Sequence, residues 1–441
     1  MKSPRETALE LLMRIESGGA YGDRVLSSPH MLMYDSRDRS FIRELVNGVM
    51  RWKLRLDRTI DMYYTKRADS LSPPIRMILR LGLYQLMCVN SVPARAAVHE
   101  SVGMASQVQG KGAGGLVNAL LRRFTRDGEP REWPGDPAER LSLELSYPLW
   151  LARRWIDHFG RETAEILMRT GNERHPVCIR PNTLRTSADE LIRMLSGEEF
   201  ETSWVGAMPG YLLVREAEGL FGCKSFSDGL FTVQDPSAAM ASILLDPSPG
   251  EAVLDLCAAP GGKTTHLAEL MGDQGRILAI DVNPGRRGIV AETAQRLGCA
   301  SITVTEGNAC TFGLGGMEKF DRVLLDAPCT GTAVFSKRPD MKWRREESDI
   351  SRLAALQWEM LENAARLTKP GGTLVYSTCS LEPEENSDLV REFLHEHPVF
   401  LLECDERFAE FQVDFGYVIP PHRMHGTGAF AAKLRCVHHG T

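Results

Sequence analysis

Residues 320–329 read Phe-Asp-Arg-Val-Leu-Leu-Asp-Ala-Pro-Cys, a strand-like apolar run that closes on a carboxylate, a proline and a thiol. Residues 371–380, Gly-Gly-Thr-Leu-Val-Tyr-Ser-Thr-Cys-Ser, follow the same plan and again reach a cysteine. A doubly wound α/β sheet does its chemistry where strands end, at the carboxyl edge. The two runs therefore offer Cys329, Cys379 and Asp326 as candidate catalytic groups.

Further apolar runs at 252–256, 276–280, 302–304, 322–325 and 373–376 are separated by stretches of helix length. That alternation predicts a parallel α/β sheet over residues 233–441. The first of these strands is followed by Cys257, Ala258, Ala259, Pro260, Gly261, Gly262 and Lys263. Small residues there let backbone amides approach a ligand closely. A phosphate loop would need a glycine five positions before Gly262, and Cys257 stands there; the dinucleotide Gly-x-Gly-x-x-Gly pattern is also missing. Asp281 closes the second strand, where a carboxylate typically holds ribose hydroxyls of an adenosine-type cofactor. The bland alternative for Asp281 is a turn acid.

Residues 1–126 look all-helical. Ser3-Pro4-Arg5-Glu6 is a capping box with proline at the first helical position. Ile42, Leu45, Val46, Val49 and Leu56 recur at helical spacing, while Arg43, Arg51, Lys53, Arg55 and Arg58 fall mostly on other faces. Residues 110–115 form a Gly-rich break between two helices, and Pro130, Pro134 and Pro137 mark a linker over 127–140. The mixed pattern of 141–232 suggests a small α+β module. The expected division is 1–130, 141–232 and 233–441.

The whole chain carries a net charge of −6, unlike a simple nucleic-acid binder. Its distribution is uneven: residues 1–130 hold 20 Lys+Arg against 13 Asp+Glu, the remainder 32 against 45. A basic N-terminal part suits an anionic partner, although a solvated helical surface has the same composition. The ten cysteines are scattered without Cys-x-x-Cys spacing, which argues against a zinc cluster. A polar N-terminus and the lack of a long apolar stretch suggest a cytoplasmic protein with reduced thiols and no membrane partner. Basic residues around Trp343, from Lys337 to Arg345, suit phosphate contact and base stacking on single-stranded RNA.

The loop 257–263, the Asp-Ala-Pro-Cys at 326–329 and the Thr-Cys-Ser at 378–380 resemble the RNA 5-methylcytosine methyltransferases of the Sun/RsmB type, whose chains begin with a NusB-like helical domain. Ile179-Arg180-Pro181-Asn182 and Gln234-Asp235-Pro236-Ser237 resemble that family's RNA-binding segment. The resemblance implies three parts: a NusB-like all-α domain, an α+β RNA-binding module and a Rossmann-like catalytic domain. It implies S-adenosyl-L-methionine as cofactor, held by the loop 257–263 with Asp281, Asn308 and Asp326. It implies ribosomal RNA as partner, 16S in type and free or partly assembled, methylated on a cytosine by a monomeric enzyme. Cys379 would be the nucleophile, Cys329 would serve product release, and Asp326 would lie near the cytosine's nitrogen 3 and amine. Two departures stand out: Asn308 replaces a family aspartate, and Thr427-Gly428-Ala429-Phe430 replaces Asp-Gly-Phe-Phe.

The chemistry explains the need for a thiol. Carbon 5 of cytosine is a weak nucleophile; adding a thiolate to carbon 6 creates an enamine that is not. A free thiol is mostly protonated at neutral pH, so a cation such as Lys263 or Arg338 would help. Two rival readings are an RNA-binding factor with a relic catalytic half and an amino-methyltransferase. The intact cysteine pair opposes the first. Asp326-Ala-Pro-Cys329 in place of an Asn/Asp-Pro-Pro-aromatic motif opposes the second.

Overall fold

The computed structural model describes residues 2–64, 71–206, 208–316 and 318–437. The chain divides into two compact units, Met1–Glu173 with Phe335–Arg344, and Arg174–Val334 with Arg345–Thr441.

The first unit is helical. Its opening helix, Pro4–Gly18, carries the expected capping box: the Ser3 hydroxyl accepts from Glu6 N, and the Glu6 carboxylate accepts from Ser3 N. Helices Ser36–Arg51, Lys53–Tyr63, Pro73–Cys88 and Ala94–Asp127 follow, with Ile42, Leu45, Val46, Val49, Leu56 and Ile78 buried in a common core. Full burial of each such side chain is worth ~1.5–3 kcal/mol. Gly48 is required by packing: a Cβ there would fall 1.9 Å from the Tyr84 ring. The Gly-rich break is narrower than expected. Only Gln109 and Gly110 leave helical geometry, with Gly110 at φ +82°, and the helix resumes through the remaining glycines. The linker is shorter too, because Pro137 opens a helix, Pro137–Leu145, capped by Asp136.

Phe335–Arg344 completes this unit. Phe335 stacks on Trp155 with ring centroids 6.2 Å apart. Lys342 is fully buried; its ammonium donates to the Arg51 and Ser146 carbonyls at 3.0 and 2.9 Å and to Asn172 Oδ1 at 2.9 Å, 4.0 Å from the Tyr147 ring. Trp343 Nε1 donates to the Met50 carbonyl at 2.6 Å, and Asp340 accepts from Gly22 N at 2.9 Å. Arg51, expected on an outer face, is also buried and donates to the Ser336 carbonyl. The RNA-contact reading of this segment is therefore corrected. Its central charges are spent on backbone carbonyls inside the helical unit, which composition cannot distinguish from a solvated basic loop.

The second unit holds two sheets. The smaller is antiparallel, in the order β2-β3-β1-β4, from β1 (Val177–Pro181), β2 (Thr202–Trp204), β3 (Leu212–Val214) and β4 (Phe231–Val233). The larger contains β5 (Ala252–Asp255), β6 (Arg276–Asp281), β7 (Ile302–Glu306), β8 (Phe320–Asp326) and β9 (Thr368–Thr378), all parallel. Beyond β9 come the antiparallel strands β10 (Phe400–Leu402), β11 (Gln412–Val413), β12 (Gly416–Ile419) and β13 (Ala429–Cys436), giving the order β11-β12-β13-β9-β8-β5-β6-β7 with β10 on β13. The five parallel strands are those expected, each within a few residues; the antiparallel group was not foreseen. Val253, Leu324 and Val375 pack into one core while Leu254, Val323, Leu325, Leu374 and Tyr376 pack into another. Side chains alternate between faces along a strand, so two covered faces require the continuous apolar runs seen in the sequence.

Candidate active site

The ladder between β8 and β9 ends at the pair Asp326–Ser377. Beyond it the chains diverge into loops that carry the two cysteines. Cys329 Sγ lies 3.3 Å from Cys379 Sγ and 3.3 Å from Cys379 N. Cys329 is buried while Cys379 is partly exposed. The Cys329 thiol is held well above its ordinary pKa by its hydrogen bond to Cys379, by burial, and by the negative charge it would share with Cys379 and Glu385. The geometry thus pairs a buried thiol with one that reaches solvent.

Asp326 accepts from Lys263 Nζ at 2.6 Å and from Ser377 Oγ at 3.0 Å. Burial opposes the Lys263 charge, but Asp326 beside it, together with the Cys379 and Asp255 charges, leaves its pKa raised. Of the two cations considered for the thiols, Lys263 belongs to this edge. Arg338 lies in the helical unit, 3.5 Å from Asp23. Arg345, expected to meet RNA, instead donates to the Cys329 and Thr330 carbonyls at 3.0 and 3.1 Å.

The loop 257–263 turns from β5 into the helix Gly262–Leu270. Gly261 caps that helix at φ +103°, a left-handed conformation that favours glycine, and a Cβ there would press on Val290 at 3.3 Å. Cys257, Ala258, Ala259, Pro260, Gly262, Lys263 and Asp326 line a cavity of about 170 Å³, with Gln234 and Asp255 also in its wall. Burial and the neighbouring acids push the Cys257 thiol upward, so it acts as a small apolar wall. Burial likewise pushes Asp255 up to about 7, against a hydrogen bond from Thr264 Oγ1.

Asp281 and Asn308 lie outside this lining, at the ends of neighbouring strands. Asp281 ends β6 opposite Glu306 of β7, and Asn308 follows two residues beyond Glu306. Asp281 is buried and accepts from Asn283 N at 2.9 Å. Asn308 Oδ1 accepts from Cys310 N at 3.0 Å, closing an Asx turn that an aspartate would close equally well.

Two buried polar atoms in the cavity wall, Gln234 Nε2 and Asp255 Oδ1, have no hydrogen-bond partner among the described residues. Leaving such groups unmade costs ~1–3 kcal/mol each, so the wall is built for polar company. A cavity smaller than the ~300–1,000 Å³ of whole-ligand pockets accommodates one end of an elongated molecule. Support for this wall comes from Arg180, which the sequence placed in an RNA-binding segment. It is buried, pairs with Glu269 at 2.7 Å, and donates to the Gly262 carbonyl at 2.9 Å and to Gln234 Oε1. Asn182 is equally buried and donates to the Gly229 and Leu297 carbonyls. Thr427, at the second family departure, packs its hydroxyl 3.0 Å from that of Ser237.

Residues 2–126 match the NusB family model, 147–217 the ferredoxin-like domain of RsmF/B-like methyltransferases, and 242–435 the 16S rRNA methyltransferase RsmB/F model. The Probable ribosomal RNA small subunit methyltransferase B of Bacillus subtilis is 35% identical over 98% of each chain. Its counterpart in Synechocystis is 37% identical over 99% of this chain and all of that relative.

The chain belongs to the ribosomal RNA small subunit methyltransferase B family.

The crystal structure of PH0851 superposes with a TM-score of 0.81 at 29% identity, covering 99% of both chains. The NusB-like, small α+β and Rossmann-like methyltransferase parts expected from the sequence are all present, and the α+β module matches a ferredoxin-like domain. Family members are S-adenosyl-L-methionine-dependent enzymes acting on ribosomal RNA. Among the described residues, no helix is long and apolar enough to cross a membrane, and no cluster of His, Cys, Asp and Glu could hold a metal ion.

Proposed function

We propose that this enzyme methylates carbon 5 of a cytosine in small-subunit ribosomal RNA, through a covalent bond between Cys379 Sγ and carbon 6. The observation that carries this reading is the 3.3 Å contact between a partly exposed Cys379 and a buried Cys329. S-adenosyl-L-methionine supplies an electrophilic methyl group when bound. The residues that would hold it are Cys257, Ala258, Ala259, Pro260, Gly261, Gly262, Lys263, Asp281, Asn308 and Asp326.

Cys379 attacks carbon 6 as the thiolate, and the carbon 5–carbon 6 π electrons move toward nitrogen 3. Lys263 beside Asp326 provides the cation that favours the thiolate; Asp326 meets the nitrogen 3 and amine edge. After methylation a base takes the carbon-5 proton, the C–H electrons re-form the double bond, and the sulfur–carbon bond breaks to return Cys379 as the thiolate. Cys329, adjacent to the departing sulfur, assists that release. A target base inside folded RNA must leave its stack to reach the thiol. The division of labour is 1–130 and 141–232 for RNA and 233–441 for chemistry, in a monomer working in the cytoplasm.

The test is mapping of 5-methylcytosine in 16S rRNA from cells with wild-type protein, Cys379→Ala, or neither. Cys379→Ala should lower turnover by on the order of 10⁴-fold or more, as loss of a covalent nucleophile does, while cofactor binding survives. Cys329→Ala should accumulate a denaturation-resistant protein–RNA adduct. Wild-type turnover in Cys379→Ala would refute the reading.

A further inference from the structure

The thiol pair sits beyond the last rung of the β8–β9 ladder, so strand pairing does not fix its spacing. A buried acid bridges the two loops there. Glu385 is fully buried in the short turn Pro383–Glu385. Its Oε1 accepts from Thr330 N and from Gln357 Nε2, each at 2.9 Å. Its Oε2 accepts from the Ser380 and Thr330 hydroxyls. Thr330 directly follows Cys329, and Ser380 directly follows Cys379.

As the anion, the carboxylate can accept all four hydrogen bonds. Burial holds its pKa above the ordinary carboxylate value, and the hydrogen bonds from Ser380, Thr330 and Gln357 offset that only in part. A buried charge is a poor source of stability compared with apolar packing. What it provides is directional contact to both loops at once. The bracing extends outward: Gln357 Nε2 also donates to the Pro328 carbonyl, and Asn386 Nδ2 donates to the Ser380 carbonyl, both at 2.9 Å.

We propose that Glu385 is a positioning residue of the two-thiol centre, holding Thr330 and Ser380 together and thereby setting the Cys329–Cys379 separation. This rests on the cysteine roles proposed above. Glu385 holds the residue after each cysteine, and its charge also bears on the Cys329 thiol.

The experiment uses the full-length protein with 16S rRNA and S-adenosyl-L-methionine. Glu385→Ala should lower kcat roughly 100-fold, the scale of an ångström misplacement of reacting groups, with KM for both substrates within twofold. Glu385→Gln keeps the bridge, because the hydroxyls of Thr330 and Ser380 can turn to accept from its amide, and should restore most of the loss. The pair Thr330→Val with Ser380→Ala should reproduce the defect, and adding Glu385→Ala to it should cost little more. This pair carries the test should Glu385→Ala fail to fold. A fall in melting temperature with unchanged kcat per folded molecule would overturn the proposal, as would Glu385→Gln no better than Glu385→Ala. Cys379→Ala run in parallel separates the two readings. If it is inactive while the Glu385 series is normal, only the positioning role falls; if it is active, both fall.

Discussion

Lys263, half-buried, and Lys342, fully buried, have opposite surroundings. Lys263 faces the Asp326 carboxylate at 2.6 Å at the edge of a cavity. Lys342 donates to neutral oxygens, two carbonyls and one amide, beside the Tyr147 ring inside the helical unit. Burial, reinforced by Arg51, pulls the Lys342 pKa well down; its three acceptors oppose this, since only an ammonium has three N–H groups to give. A charge beside its counter-charge remains available to chemistry. A charge consumed by backbone oxygens is a fastener.

Substitutions can break or sharpen that contrast. Lys342→Met should have the largest effect, because it strands three buried acceptors at ~1–3 kcal/mol each. Thermal unfolding should show a loss of about 3 kcal/mol or more, with turnover per folded molecule near wild type. Lys263→Met should do the reverse: turnover falls by about 10²-fold, the usual scale for a lost electrostatic group, with little change in melting temperature. If both variants lose only stability, the contrast is wrong. Asp281→Ala should weaken S-adenosyl-L-methionine binding by about 1.5–3 kcal/mol, read by calorimetry; unchanged affinity would remove Asp281 from the site.

The last test concerns Asp255. Its folded pKa of about 7 lies above the ordinary 3.8, so the folded protein binds the extra proton between those values. Stability therefore declines as pH rises from about 4 to 7, and the loss is complete above the folded pKa. Asp255→Asn should flatten that part of the pH–stability curve measured without cofactor. An unchanged slope would show that Asp255 does not titrate there.

The five parallel strands were legible because a strand buried on both faces writes itself as a local apolar run, and the cysteines because they follow such runs. The capping box at Ser3 and Glu6 was legible for the same local reason. What escaped were meetings between distant residues. Arg180 reaches Glu269, Arg345 reaches the Cys329 carbonyl, and Glu385 reaches Thr330, each across a gap that no periodicity spans. Charge misled most where it was buried: Arg51 and Lys342 look like surface residues in any composition count. Phe335 and Lys342 have their packing partners in the helical unit, so that unit is built from two distant stretches of chain.

That interleaving also bears on how the chain is made. The helical unit needs residues 335–344, which leave the ribosome roughly 160 residues after residue 173. At ~5–20 residues per second, synthesis of the intervening stretch takes about 8–30 s. Throughout that interval the nascent helical unit lacks the side chains that sit against Trp155, Tyr147 and Asn172. A polypeptide released early thus carries an unfinished core, and translation must pass residue 344 before either half of the molecule is whole.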